Sequence, residues 1–142
     1  MHSIIKISEA ATLALHTMYF LSITTDRLVS TKEIATTFSI SENHLAKVLQ
    51  RLAKTGLVDS IRGPKGGFNL GKSSDEITLL QIYEAIEGPL ELSDCLLDKP
   101  ICGGGDNCVI FNGLLDLLNK QVKDYMGQKK LSELRNLFPK QV

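Results

Sequence analysis

Hydrophobic positions recur along this chain at helical spacing, interrupted once by a short stretch that alternates. Behind Ser8, a side chain suited to capping a first turn, Leu15, Met18 and Leu21 or Phe20 return every three or four residues and predict a helix to about Leu21. TTDRLV reads as a turn. Ser30, with Glu33 three residues on, has the form of a capping box and opens a short helix that ends near Phe38. After Ser39 and Ile40, Ser41 caps a longer helix, ENHLAKVLQRLAKTG. Its buried stripe is Leu45, Val48, Leu49 and Leu52, and Gly56 stands where a left-handed residue closes it.

Then the period changes. LVDSI and FNL have strand character, and RGPKGG between them is a glycine–proline turn. Thr78 and Gln81 form a second capping box before LLQIYEAIEG, which Gly88 and Pro89 close. VIFNGLLDLLNKQVKDYM lines one face with Phe111, Leu114, Leu115, Leu118, Val122 and Tyr125, and Leu117 and Met126 widen it. That stripe exceeds what one small domain needs, so a partner helix is expected. Gly127 is expected to end this helix, and Ser132 to cap a short final one, LSELRNLF.

The expected fold is therefore mainly α with a small β-hairpin. Two helices joined by a few residues, the second basic on its outer face, read as helix-turn-helix, and a hairpin with a basic tip straight after it reads as a wing. A plain αα-hairpin followed by a structural β-hairpin is the bland alternative, and the order of the elements favours the wing. The expected organisation is a winged helix-turn-helix domain over 1–88, a cysteine-rich loop over 89–108, and a dimerisation helix with a short C-terminal helix over 109–142.

Net charge is zero over 142 residues, but it is unevenly spread. Glu42 to Lys72 holds six basic residues (Lys47, Arg51, Lys54, Arg62, Lys65, Lys72) against Glu42 and Asp59, a surplus of four positive charges. Ser73 to Cys108 holds eight acidic residues against Lys99. One half can face phosphates while the other repels them. The residues placed on DNA are Ser41, Asn43, His44, Lys47 and Arg51 from the helix, with Arg62 and Lys65 from the wing. Ser41 either bonds phosphate or only caps its helix.

All three cysteines lie in CLLDKPICGGGDNC, spaced Cys-x6-Cys-x5-Cys as Cys95, Cys102 and Cys108. An odd number of thiols cannot form a closed disulfide framework. Thiolates select iron–sulfur clusters, zinc or cuprous copper, and the paired spacing usual for zinc is missing here. The long helix, expected to start near Cys108, would bring its positive dipole end to an anionic cluster. A mononuclear zinc site, a redox disulfide, and thiols with no ligand role remain open. The apolar run Ala10–Ile23 is too short for a membrane span and has no cleavage site, so a cytoplasmic protein without membrane contact is expected. No cysteine–histidine spacing suggests a thiol enzyme or a zinc hydrolase, and no enzyme activity is expected.

LVDSIRGPKGGFNLGKSSDEITLLQIYEAIEG resembles the wing and following helix of the Rrf-two family of bacterial winged-helix regulators, and the likeness extends over nearly the whole chain. ISENHLAKVL is most similar to the NsrR-like branch. The resemblance implies a homodimer crossed through the long helix, binding double-stranded DNA at a palindromic operator, with an iron–sulfur cluster (4Fe–4S or 2Fe–2S) at each cysteine loop. It implies repression under the control of nitric oxide, iron or redox state. CymR-like relatives imply instead a cluster-free regulator switched by thiol oxidation or a partner protein. IscR-like members take a fourth ligand from a histidine three residues after the last cysteine, where this chain has Phe111. NsrR-like members take an acidic residue early in the first helix of the partner subunit, and Glu9 holds that place. Of the other histidines, His16 is expected in the core and His44 towards DNA or the packing interface.

Overall fold

The computed structural model of the chain describes residues 7–91, 101, 102, 108, 110 and 113–134. Their order is α1 (Glu9–Ile23), α2 (Thr31–Phe38), α3 (Glu42–Lys54), β1 (Val58–Ile61), β2 (Gly67–Leu70), α4 (Leu79–Glu87), α5 (Leu114–Gln128) and α6 (Leu131–Leu134). The fold is mainly helical with one antiparallel hairpin, as the patterning predicts.

Each early helix starts on a hydroxyl. Ser8 Oγ accepts the Ala11 amide at 3.0 Å, Ser30 Oγ the Glu33 amide at 3.1 Å, and Ser41 Oγ the His44 amide at 3.4 Å. These bonds satisfy donors that a helix start leaves without partners. At α4 the capping box is complete, with Gln81 Oε1 also accepting the Thr78 amide at 3.0 Å. At α2 the expected box is only half made. The Glu33 carboxylate turns away from Ser30 to take both terminal nitrogens of Arg27, at 2.7 and 2.5 Å, because a forked guanidinium outcompetes one backbone N–H.

This bond holds the Glu33 carboxyl below the usual carboxylate range. A lowered folded-state pKa means stability that is present above the unfolded pKa, about 4.3 for glutamate, and is lost as the pH falls through the folded value. Arg27→Gln should therefore lower thermal stability slightly at neutral pH and leave it unchanged in acid, read from melts across pH. The effect is small because both side chains are substantially exposed.

Around α1 the core closes. This helix packs against α3, α4, α6 and β2, and buries Ala11, Leu13, Ala14, Thr17, Met18 and Leu21. Leu15 and Phe20, expected on its inner face, are only half-buried, because α1 is covered on several sides and small residues take the tightest positions. In α3, Leu45, Val48, Leu49 and Leu52 are buried as the stripe predicts, and Gly56 takes φ +77° just beyond the helix. His16 departs from expectation. It lies on the exposed side of α1, with Nδ1 2.7 Å from the Thr12 carbonyl and its ring edge-on to Phe38.

The hairpin register pairs Val58 with Leu70 and Ile61 with Gly67. Val29, within the expected turn, adds a third rung: its amide and carbonyl bond Phe68 at 3.0 and 2.8 Å. The wing is thus fastened to the segment that leads into α2. Its base tolerates no side chain at Gly71, where a Cβ would lie 2.3 Å from the Gly56 carbonyl oxygen, a backbone atom with little freedom to move. Gly71→Ala should cost about 1–3 kcal/mol by overpacking, seen as a lower urea midpoint with an unchanged slope.

The C-terminal part differs from the sequence reading in three ways. α5 starts at Leu114, preceded by Gly113 at φ +79°, well after Cys108. It continues through Gly127 to Gln128. Ser132 lies inside α6 and not ahead of it, and its amide donates to the Ser74 carbonyl at 3.1 Å. The junction between α5 and α6 pairs with the entry to α4: Leu79 N–H donates to the Lys129 carbonyl at 3.0 Å, and Leu131 N–H to the Ile77 carbonyl at 2.8 Å. Pairing between residues some fifty positions apart leaves no mark in local periodicity. Phe111 and residues 135–138 of the expected final helix lie outside the described residues.

Candidate nucleic-acid interface and thiol loop

The amphipathic pattern of α3 sends four aliphatic side chains inward and leaves Ser41, Asn43, Lys47 and Arg51 exposed. Asn43 and Lys47 are one helical turn apart, and exposed Gln50 continues the same row. Gln50 is not among the residues expected on DNA, although the i, i+4, i+7 spacing from Asn43 marks it. Ser41 serves its helix as a cap. His44 is half-buried, and its Nε2 is buried without a hydrogen-bond partner among the described residues. That ring nitrogen faces the protein, so any contact outward would use the other edge. Arg51 is exposed, but one of its nitrogens donates to the Ile86 carbonyl of α4 at 3.2 Å.

At the tip of the wing, Gly63, Pro64, Lys65 and Gly66 form a β-turn closed by a 3.0 Å bond from the Gly66 amide to the Gly63 carbonyl. Proline at its second position presets the backbone angle the turn requires. Arg62 and Lys65 are both exposed beside it, and Ile61 next to them is 51% exposed. A helix of polar and basic outer residues and a rigid basic-tipped hairpin can engage, respectively, a groove floor and the neighbouring backbone of a duplex.

Cys95 lies outside the described residues. Cys102 is exposed and Cys108 is buried. Ile101 and Ile110 beside them are 88% and 77% exposed. Glu9 is an exposed carboxylate in the first turn of α1, where it suits the positive end of the helix dipole. Because α5 begins at Leu114, its dipole end does not fall at Cys108 as the sequence suggested. Among the described residues no three histidine, cysteine or acidic side chains converge as a metal site. The donor set itself, three soft thiols without zinc-like pairing, suits an iron–sulfur cluster in chemistry.

Residues 7–136 match the family model Rrf2, described as an iron-dependent transcriptional regulator. The chain belongs to the Rrf2 family. It is 33% identical to the helix-turn-helix transcriptional regulator NsrR of Bacillus licheniformis, over 85% of this chain and 83% of that protein. It is 36% identical to the regulator IscR of Pectobacterium carotovorum, over 68% of this chain and 58% of that one. Among solved structures it is similar to CymR, the global cysteine regulator of Bacillus subtilis, with a TM-score of 0.79, 30% identity, and coverage of 94% and 98%. The protein is thus a DNA-binding transcriptional regulator of winged-helix fold and not an enzyme. None of its described helices is long and apolar enough to cross a membrane.

Proposed function

We propose that this regulator acts as a homodimer whose hold on a palindromic operator depends on an iron–sulfur cluster bound by Cys95, Cys102 and Cys108, with Glu9 of the partner subunit as a further ligand. The observation that carries the reading is the donor set: every thiol of the chain lies on one loop, at a spacing that suits a cluster better than a single ion. The family description as iron-dependent supports it. When bound, such a cluster supplies an anionic, redox-active centre. It would make repression responsive to nitric oxide, iron supply or redox state, in a cytoplasmic setting that keeps thiols reduced.

The chain's own residues supply the DNA chemistry. Asn43 and Lys47, extended by Gln50, face the major groove, with Ser41 and the outer edge of His44 at its margin. Arg62 enters the minor groove and Lys65 holds phosphate. The units 1–88, 89–108 and 109–142 then act as reader, sensor loop and dimer element. The similarity to a cysteine regulator supports a second reading, a cluster-free protein switched by thiol oxidation or a partner, and exposed Cys102 would be its first reactive thiol. Anaerobic purification separates the two. Brown protein containing iron and sulfide is expected, and colourless, iron-free protein that still binds DNA in a thiol-dependent way would favour the second reading.

Arg62→Ala should weaken operator binding by about 1–3 kcal/mol, roughly fivefold to 150-fold. Lys65→Ala should weaken all duplexes more evenly and reduce the salt dependence by about one unit of slope. Gel-shift titrations at several salt concentrations read both, and unaltered binding in both variants would remove the wing from the interface.

A further inference from the structure

The last turn of α4 is where the chain hands over to the cysteine-bearing segment, and two distant elements are fastened to it. A helix ends with carbonyls that have no partner inside the helix, and the C-terminal end carries partial negative charge. α4 has no basic residue of its own in its last turn. The cation comes from α3: Arg51 donates to the Ile86 carbonyl at 3.2 Å. One residue on, Glu87 accepts the hydroxyl of Ser8, the cap of α1. Beyond Gly88, at φ +78°, Leu90 is buried at 1% exposure and pins the exit of the chain.

Arg51 therefore sits on the DNA-reading helix but is spent, at least through one nitrogen, inside the protein. We propose that Arg51 is a positioning residue: it takes the orientation of α3 from the end of α4, and it does not serve as a phosphate contact. This rests on the reading of α3 as the DNA-facing helix. Leu45, Val48, Leu49 and Leu52 seat α3 in the core, and the Arg51 bond near its C-terminal end ties that seat to α4. A shift at the end of α4 would then be passed to Asn43 and Lys47 through α3 as a rigid rod.

The test uses the full-length protein, Arg51→Met and Arg51→Lys, and a duplex selected from a random pool by the wild-type protein, with a scrambled duplex as control. Met keeps the aliphatic stem and removes the donor; Lys restores a charged donor. Arg51→Met should lose about tenfold on the selected duplex and little on the scrambled one, with the salt slope unchanged, and Arg51→Lys should recover most of the loss. In hydrogen exchange without DNA, Arg51→Met should speed the amides of residues 86–88 and 90 about tenfold. Equal weakening on both duplexes, with a slope lower by about one, would make Arg51 a phosphate contact and overturn the proposal. Unchanged exchange at residues 86–88 and 90 would overturn it as well. Failure of the wild type to select any duplex would instead count against the DNA-facing assignment of α3, while the exchange measurement still decides whether Arg51 braces α4.

Discussion

Cys102→Ala is expected to leave the protein folded but without the iron, sulfide and visible absorption of the proposed cluster. Of the two described thiols, Cys102 is the cleaner one to substitute. Cys102 is exposed, so losing its sulfur removes little packing, whereas Cys108 is 6% exposed and its removal would combine ligand loss with a cavity. A cluster held by three thiolates should not be retained when one of them is removed, so a large loss of iron is expected. Glu9→Ala should behave differently. An oxygen donor holds iron more weakly than a thiolate, so this variant should retain colour with a shorter lifetime and a changed spectrum. Colour and iron content of the anaerobic proteins check both. Wild-type iron content in Cys102→Ala would remove that residue from the ligand set, and a Glu9→Ala protein with unchanged spectrum and lifetime would remove Glu9.

What could be read from the sequence was local. Ser8, Ser30, Ser41 and Thr78 are caps because each precedes an apolar period, and all four accept an amide in the structure. The stripe of α3 and the glycine after it follow from spacing and left-handed backbone, both properties of a few neighbouring residues. What escaped depends on partners that the local period does not name. Glu33 abandons its box for Arg27, Val29 joins β2, and Lys129 to Leu131 pair with Ile77 to Leu79. His16 illustrates the same limit: an apolar helix surrounds it in sequence, yet only the packing of α1 decides which side stays in solvent.

The candidate site divides along the same line. Arg62 and Lys65 were legible because a glycine–proline turn has to lie at a tip, and a tip is exposed. Arg51 was legible as a charge on the outer face of a helix, but its bond to the Ile86 carbonyl crosses from α3 to α4 and has no local signal. Gln50 shares a row with Asn43 and Lys47 but has neither a place in the N-terminal turns of α3 nor a charge, the two features that mark the other residues.

Leu117→Glu is expected to convert the proposed dimer into a monomer whose own fold is undisturbed. α5 uses Met126, buried, and Val122, half-buried, against the rest of the chain, and turns Leu114, Leu117 and Tyr125 outward at 42%, 53% and 61% exposure. Large apolar side chains along one helix are a face that water does not favour, and a second α5 offers the matching surface. Leu118, also in the stripe, is half-buried within the chain, so changing it would mix loss of dimer with loss of fold. Leu117 separates the two. In the free chain a glutamate there stays in water, whereas in a helix–helix interface it becomes a desolvated charge without a partner. That costs about 3–5 kcal/mol per copy, a thousandfold or more in the dimer dissociation constant when both copies carry it. Light scattering on the eluting protein should give the mass of one chain, with an unchanged thermal transition at low concentration. Binding to a palindromic duplex should weaken far more than binding to a single half-site, because the two reading heads no longer arrive together. A Leu117→Glu protein that still elutes as a dimer would place the interface off this face of α5.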